Sequence, residues 1–437
     1  MRRIAIFFVL VAVMLSACST AEPIPLEPST TASASSAAST APTTSVAPTE
    51  SPAAEQPAPT ESPAGDTSIA PPTPSPDTLT LWHSYAADSP EAGIVNDLVA
   101  QARQATPNLE IGAVAIPGDE IINRFETEAA AGGGPDLLLA PNDSLGREAR
   151  SGLLRELDAA VGQQEASLYL PNAIESMKVD GKLYGIPASL STMALYYNAG
   201  KVQSPPRTTD ELLNAVKGGT TLVLIRSAFH NFGFFGAFGG RLFDENGRCV
   251  ADAGGFADAL NYLRELKNAG AQVVTSGREA EALFKEGQAD LAINGSWLLA
   301  DYRAALGDQL GVAPMPGGPA GPARPLLSGT GVYLNAATSK PDQAIALGLL
   351  LTGQDAQQRY VEQSSFIPSN PNLTIANPAL ASLFESAKSG TPAPNRIELD
   401  RFWGPFDGAL AEVLETDVDP VATVQAACTA MNEANGK

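Results

Sequence analysis

The stretch "LTLWHSYAADSPEAG", from Leu79 to Gly93, passes from a short strand to a helix and decides the fold class. Polar and apolar residues alternate up to Leu81, which is the pattern of a half-buried strand. Ser89 followed by Pro90 is typical of a helix N-cap with a proline in the first turn. The turn between strand and helix carries four bulky or polar side chains: Trp82, His83, Ser84 and Tyr85.

The same strand-to-helix order recurs along the chain. Further strands are predicted at 108–116, 136–140, 220–225 and 289–295, and helical stripes of apolar residues stand between them. Such alternation predicts an α/β fold, in which open, mostly parallel sheets are flanked by helices. About 360 residues follow the N-terminal region, which is more than one core usually holds, so two lobes are expected.

The first residues indicate export. An apolar run from Ile4 to Met14 follows Arg2 and Arg3, and it is shorter than the ~20 residues that a transmembrane helix needs. The order Leu-Ser-Ala-Cys that ends at Cys18 resembles a bacterial lipobox, which implies a lipoprotein signal peptide over residues 1–17 and lipidation of Cys18. The alternative is an ordinary cleaved signal peptide with an incidental cysteine.

Residues 18–77 consist of this cysteine and a segment rich in Pro, Ser, Thr and Ala, with almost no large apolar side chain. Such a composition cannot bury enough surface to offset the entropy of ordering, so a disordered stalk is predicted. An acyl chain at its start would tether the protein to the membrane instead of spanning it. The predicted location is therefore the cell membrane, lipid-anchored on the extracytoplasmic side, at a cell surface or in a periplasm.

The composition excludes several classes of function. With 48 acidic and 27 basic residues the net charge is −21, which argues against binding to nucleic acid or anionic lipid. The two histidines, His83 and His230, cannot form a His-rich metal site, and no phosphate loop or nucleophile elbow occurs. We therefore predict no enzyme activity, catalytic residue, metal or cofactor. Cys249 and Cys428 are expected either to form a disulfide or to be buried thiols.

Polar and aromatic side chains follow the predicted strands, where ligands of open α/β sheets bind. Aromatic faces combined with hydroxyl, amide and carboxylate groups suit a sugar, whose CH faces stack on rings and whose hydroxyls need polar partners. In the alternative interpretation the tryptophans fill the core and Asp143 caps a turn. The candidate ligand-binding residues on this ground are Trp82, His83, Ser84, Tyr85, Asn142, Asp143, Phe229, His230, Trp297 and Trp403.

Seven motifs in order resemble the sugar-binding class of extracellular solute-binding proteins of ABC importers, which includes maltodextrin-binding protein. The motifs span about residues 78–437 and are "LTLWHSY", "AAAGGGPDLLLAPND", "SGLLRELD", "DGKLYGIPASLSTMALYYNAGKV", "GQADLAINGSW", "LNAATSKPDQAIALGLLL" and "RFWGPF". The resemblance implies a two-lobed periplasmic-binding-protein fold with the ligand cleft between the lobes. It assigns 78–190 to the first lobe, 191–322 to the second and 323–368 to a return to the first. The C-terminal helices, 369–437, are expected mostly on the second lobe, and Ile186–Thr192 is expected to be the first crossing.

The resemblance also implies roles for single residues. Asp143 matches an acceptor for a sugar hydroxyl, Trp297 and Trp403 match stacking tryptophans, and Phe229 falls near an aromatic contact. Cys249 and Cys428 both fall in the second lobe. The chain departs from the maltodextrin binders at three positions. Ala140 and Ser144 stand where those proteins place a tryptophan and an arginine, and Ser191, a further candidate ligand contact, stands where they carry a glutamate.

These departures argue against maltodextrin itself and leave a carbohydrate as the expected ligand. The predicted protein is a monomer that binds a sugar or oligosaccharide and delivers it to the permease subunits of an ABC transporter through lobe closure. Two alternatives remain. One is a binding protein for a non-sugar solute, such as a polyol phosphate or a peptide-like compound. The other is a surface-tethered enzyme or lectin that acts on polysaccharide.

Overall fold

The computed structural model describes residues 78–393 and 395–437. The predicted signal peptide, Cys18 and the predicted stalk lie outside these residues. Most of the described chain forms strands and helices that alternate in sequence. The strands are β1 Thr78–His83, β2 Glu110–Ala115, β3 Leu137–Pro141, β4 Lys178–Val179, β5 Lys182–Leu183, β6 Gly185–Ser191, β7 Met193–Asn198, β8 Leu222–Ile225, β9 Gln272–Val274, β10 Leu291–Gly295, β11 Leu310–Ala313, β12 Leu326–Leu334, β13 Ile367–Pro368 and β14 Thr391–Pro392.

The helices follow the strands and in most cases begin at a residue suited to the position. Pro90 opens the first of them, and the Ser89 hydroxyl caps it by accepting a hydrogen bond from the Ala92 amide. The α-helices are α1 Pro90–Ala105, α2 Ile121–Ala130, α3 Leu145–Arg150, α4 Gln163–Ala166, α5 Pro171–Glu175, α6 Thr209–Lys217, α7 Ala228–Ala237, α8 Phe256–Ala269, α9 Gly277–Lys285, α10 Leu299–Leu306, α11 Pro341–Thr352, α12 Gln354–Gln363, α13 Pro378–Ser389, α14 Trp403–Glu415 and α15 Pro420–Ala434. Short 3₁₀ turns lie at Ala251–Ala253, Ser296–Leu298, Gly307–Gln309 and Ile397–Arg401.

Two sheets organise the described chain. A seven-stranded sheet has the order β13-β6-β12-β3-β1-β2, with β14 beside β12, and a five-stranded sheet has the order β11-β7-β10-β8-β9. We call the first sheet with its helices the first lobe and the second sheet with its helices the second lobe. Each lobe has its own apolar core, the first built around β1 and β3 and the second around α7, α8, α14 and α15. The predicted two-lobed α/β fold is therefore confirmed.

Strand direction is more varied than the sequence pattern indicates. Strands β1, β2 and β3 are parallel, as are β8, β9 and β10. The pairs β12–β3, β12–β6, β10–β7 and β11–β7 are antiparallel, so both sheets are mixed rather than mostly parallel. The periodicity of a strand reports its burial and not its direction, which explains why these pairings were not anticipated.

The chain passes between the two sheets with little intervening sequence. Only Thr192 separates β6 of the first lobe from β7 of the second. Its hydroxyl donates to the carbonyl of Leu326, the first residue of β12, and its carbonyl accepts from the amide of Ser296 in the second lobe. Thr192 and Leu326 thus lie side by side where two crossings meet. A side chain at Gly329 of β12 would collide with the Ser189 carbonyl oxygen, which explains the glycine there.

The C-terminal helices complete the second lobe. Helices α14 and α15 pack on α8 and on each other. Cys249 and Cys428 are joined by a disulfide, with Cα atoms 5.6 Å apart, that ties α15 to the chain just before the 3₁₀ turn at Ala251–Ala253. No helix in the described part of the chain combines the length and the apolarity needed to cross a bilayer.

Candidate functional site

A cavity of about 500 Å³ lies between the lobes. The first lobe contributes the end of β3 and helix α3, the second lobe contributes residues of α7 and α14, and crossing segments contribute the rest. The lining residues are Asn142, Asp143, Ser144, Gly146, Arg147, Arg150, Ser151, Phe229, Leu326, Ser328, Ala393, Asn395, Arg396, Ile397, Leu399, Asp400 and Trp403. Its volume falls within the roughly 300–1,000 Å³ that is typical of small-molecule sites.

Asn142 fixes the first-lobe side of this cavity. Its side chain is buried, donates to the Ser176 carbonyl at 3.0 Å and accepts from the Gly329 amide at 3.0 Å, so it joins the end of β3 to β12. Both the amide nitrogen and the amide oxygen of this side chain are thereby bonded within the protein. Asn142 therefore acts as a support that holds the next residue, Asp143, at the cavity.

Asp143 lines the cavity and is exposed. No described residue donates a hydrogen bond to this carboxylate, whereas the backbone on either side is fixed. The surrounding protein displaces water and raises the pKa of the Asp143 carboxyl above its usual value. A carboxylate without a protein partner is a ready acceptor for ligand hydroxyl groups.

An aromatic wall stands on the second-lobe side. We use this name for Phe229, Trp297 and Trp403. The Phe229 ring is stacked on Trp297, with centroids 6.3 Å apart and planes 22° apart, and meets Trp403 edge to face at 5.9 Å. The Asp407 carboxylate of α14 accepts from the Ala228 amide at the start of α7, which joins the helices that carry Phe229 and Trp403. The wall thus has a fixed geometry.

Trp297 occupies an unusual position for a large apolar residue. Its side chain is 51% exposed, and it lies over the backbone of Gly295, where any side chain would collide with the indole. A tryptophan that fills a core would be buried, so the core-plug interpretation does not apply to Trp297. Trp403 and Phe229 are half-buried and line the cavity.

The opening motif is placed differently from the prediction. Trp82, His83 and Tyr85 are 5%, 2% and 8% exposed and are not among the cavity-lining residues. The guanidinium of Arg124 lies 4.6 Å above the Trp82 ring, and Tyr85 packs against Tyr360 and Phe366.

The reason lies in the position of β1. This strand is paired on both sides, with β2 and β3, and all six of its residues are buried, so its side chains are enclosed on both faces of the sheet. Ser84 is half-buried, and its amide donates to the Leu139 carbonyl, which continues the sheet beyond β1. Three of these four side chains therefore pack inside the first lobe, where the sequence analysis placed them on the wall of the cleft.

Three further candidates, Trp297, His230 and Ser191, lie near the site without lining the cavity. His230 meets Phe229 edge to face at 5.5 Å, and burial lowers its pKa to about 4. Ser191 is half-buried at the end of β6, opposite Ser328, which does line the cavity.

Sequence reasoning missed part of the lining. Arg147, Asn395, Arg396 and Asp400 line the cavity, and Ser144 entered the sequence analysis only as a departure from the maltodextrin binders. Arg147 could have been predicted, because a helix that starts beside Asp143 carries the residues of its first turn to the same cavity. The segment around Asn395 reaches the cavity through long-range contacts, such as the hydrogen bond from Arg150 to its carbonyl, which no local pattern reveals.

Comparisons with known proteins agree with this architecture. A family model described as bacterial extracellular solute-binding protein matches residues 97–382. The galactooligosaccharide-binding protein of Bacillus subtilis (strain 168) is 26% identical over 386 residues, which are 82% of this chain and 90% of that protein. A maltooligosaccharide ABC transporter solute-binding lipoprotein of Streptococcus pneumoniae (strain ATCC BAA-255 / R6) is 24% identical over 340 residues, 71% of this chain and 79% of that protein.

A solved structure shares the fold. A cyclo/maltodextrin-binding protein complexed with maltotetraose superposes with a TM-score of 0.76 at 24% identity and covers 83% of this chain and 98% of that chain.

Proposed function

This chain belongs to the bacterial extracellular solute-binding proteins, and we propose that it binds a sugar or oligosaccharide and delivers it to the permease of an ABC transporter. The observation that carries the proposal is the placement, around one cavity, of the Phe229 and Trp403 rings of the aromatic wall and of Asp143, whose carboxylate has no partner among the described residues. Rings bind the CH faces of a pyranose, and a carboxylate accepts from its hydroxyls. The relatives that bind galactooligosaccharides and maltooligosaccharides support this ligand class.

The mechanism is closure of the two lobes on the ligand. A ligand that contacts Asp143 on one lobe and Trp403 on the other stabilises the closed form by its differential affinity. Rotation would occur at Thr192, the one residue between β6 and β7, and beside it at Leu326, where β12 begins, because a few backbone angles there can absorb the motion. The permease would then recognise the closed monomer, and the bound sugar leaves unchanged.

The direct test is a thermal-shift measurement with maltotriose, maltotetraose, β-1,4-galactotriose and monosaccharides. A ligand at a hundredfold excess over its Kd stabilises the protein by about 2.7 kcal/mol, which raises the Tm clearly. A rise with a polyol phosphate or a peptide and none with any saccharide would contradict the proposal. Chromatography of the incubated saccharide checks the enzyme alternative, because a binding protein returns it unaltered.

Trp297→Ala and Asp143→Asn are each expected to weaken sugar binding. Loss of the exposed indole should cost about 1–3 kcal/mol of binding free energy through lost stacking and burial. Loss of the charge at Asp143 should cost about 1–1.5 kcal/mol, the difference between a charge-assisted hydrogen bond and a neutral one. Calorimetric titration measures both.

Neither variant should unfold the protein, since both side chains reach solvent or the cavity. Leu168→Ala is the matched control, because Leu168 is also an exposed apolar residue and lies away from the cavity lining. If Trp297→Ala keeps its affinity and loses stability instead, the indole serves packing and not recognition.

We further propose that the protein is anchored through a lipid on Cys18. The Leu-Ser-Ala-Cys order supports this, and the pneumococcal relative is named as a lipoprotein. Cys18→Ser should therefore shift the protein from the membrane fraction to the soluble fraction. Mass spectrometry of the mature N-terminus provides the second readout: an unmodified residue other than Cys18 there would show that the anchor does not exist.

A further inference from the structure

Ser144 uses its hydroxyl in an unexpected direction. It stands at the N-cap position of α3, where a serine normally accepts a hydrogen bond from a helix amide. Here the side chain makes no capping bond, and the amides of Arg147 and Glu148 donate to the Ser144 backbone carbonyl instead. The lone pairs of the hydroxyl are therefore not used by the helix.

The proton of this hydroxyl goes to a buried carboxylate. The Ser144 Oγ atom donates to Oε1 of Glu148 at 2.7 Å, one turn further along α3. Glu148 is only 1% exposed, so it is held in place by the protein around it. A carboxylate accepts and cannot donate, which fixes the direction of this hydrogen bond.

We propose that Ser144 is a specificity-determining acceptor for a ligand hydroxyl, next to Asp143, and that Glu148 is the residue that positions it. Ser144 lines the cavity, and with its proton committed to Glu148 its hydroxyl oxygen can only accept from a ligand there. Asp143 and Ser144 together then offer adjacent acceptors, which match two neighbouring hydroxyls of a sugar that both donate. The inference rests on the proposed function and extends it to the choice of sugar.

A serine held in this way offers the ligand a hydrogen-bond acceptor, whereas an arginine at the same place would offer only donors. An arginine has only donors, so it selects ligand oxygens that accept. Serine held by Glu148 selects ligand hydroxyls that donate. We therefore expect this chain to reject sugars that lack a free hydroxyl pair at this position.

The test measures affinity for the tightest binder among maltotriose, maltotetraose and β-1,4-galactotriose. Ser144→Ala should weaken binding about fivefold to tenfold, the scale of one hydrogen bond. Glu148→Leu should weaken it about threefold in the native background and not at all in the Ser144→Ala background, because Glu148 acts through Ser144. Glu148→Gln keeps an acceptor oxygen and should stay within about twofold. Ser167→Ala, an exposed serine of the first lobe, is the control and should bind as the native chain does.

A second measurement does not depend on the folding of the Glu148 variants. A series of monodeoxy and monodeoxyfluoro derivatives of the same saccharide is titrated into the native protein and into Ser144→Ala. Fluorine keeps the size of a hydroxyl but cannot donate. At one position of the sugar, both replacements should therefore weaken binding to the native protein equally and leave Ser144→Ala unaffected.

The outcomes separate the two proposals. If no saccharide binds the native protein, the proposed function fails and this inference fails with it. If a saccharide binds and Ser144→Ala is unchanged, the inference alone is overturned. If the effects of Ser144→Ala and Glu148→Leu multiply in the double variant, Glu148 does not act through Ser144, and the positioning role is overturned.

Discussion

Removal of the disulfide between Cys249 and Cys428 is expected to lower the free energy of unfolding by up to about 5 kcal/mol. The two cysteines are separated by 179 residues, so the bond closes a long loop in the unfolded chain. On the chain-entropy model, a loop of that length accounts for about 5 kcal/mol. This would be a large part of the total stability of a protein domain.

The native structure around the bond supports an effect through the unfolded state. Both cysteines are buried, and Asn432 of α15 accepts from the Cys249 amide at 2.8 Å and donates to the Cys249 carbonyl at 3.4 Å. These hydrogen bonds hold α15 in place without the disulfide. The folded form of a variant with Ala at both cysteines should therefore be unchanged, and so should its sugar affinity, because neither cysteine lines the cavity.

Urea unfolding of the native chain, with and without reductant, measures the effect. The variant with Cys249→Ala and Cys428→Ala is the control, since reductant should not change its stability while the native chain should fall to the same value. Thiol titration of the unreduced, denatured protein gives the independent check. Two free thiols from Cys249 and Cys428 would show that the bond is absent. Equal stability of the unreduced native chain and the double alanine variant would show that the bond does not stabilise the protein by restricting the unfolded chain.

The architecture was readable from the sequence because local patterns determine it. Ser89 and Pro90 marked the start of α1, and the alternation of strands with helices indicated α/β lobes. The antiparallel pairing of β12 with β3 and β6 was not readable, because it depends on where the chain returns from the second lobe. Long-range returns of this kind leave no trace in the period of a strand.

The candidate site was readable in part for a related reason. Asp143, Phe229 and Trp403 follow strands or lie near the end of the chain, and the structure gathers them at one cavity. Trp82 lies in β1 itself and Tyr85 lies two residues beyond its end, and both are buried in the first lobe. Residues at a strand end therefore form a site only where their side chains are not packed inside the lobe, and the sequence does not show at which strand ends this is so.

Acid is expected to destabilise the protein through its two histidines, by about 3 kcal/mol for each as the pH falls from 6.5 to 4. Burial lowers the pKa of His83 and of His230 to about 4. The Nδ1 atom of each ring is buried without a hydrogen-bond partner among the described residues, and at His83 burial outweighs a backbone contact with Tyr85 that favours the charged ring.

The direction follows from proton linkage. An unfolded histidine has a pKa of about 6.5, so between about pH 6.5 and pH 4 the unfolded chain binds more protons than the folded one. Stability is therefore complete above about pH 6.5 and declines as the pH falls. A lowering of about 2.5 pKa units corresponds to about 3 kcal/mol per histidine, and about 2 kcal/mol of it is lost by pH 5.

The chain has only two histidines, which permits a clean control. The variant with His83→Gln and His230→Gln carries no histidine, so between about pH 7.5 and pH 5 its urea-unfolding free energy should change much less than that of the native chain. The carboxyls of Asp143 and of the buried Glu148 oppose the trend, because their pKa values are raised and their protonation favours the folded form. Equal pH slopes for the native and histidine-free proteins would show that the rings are not held neutral. A ring that charges without loss of stability must then find water, which would place His83 or His230 at an opening of the fold instead of in its interior.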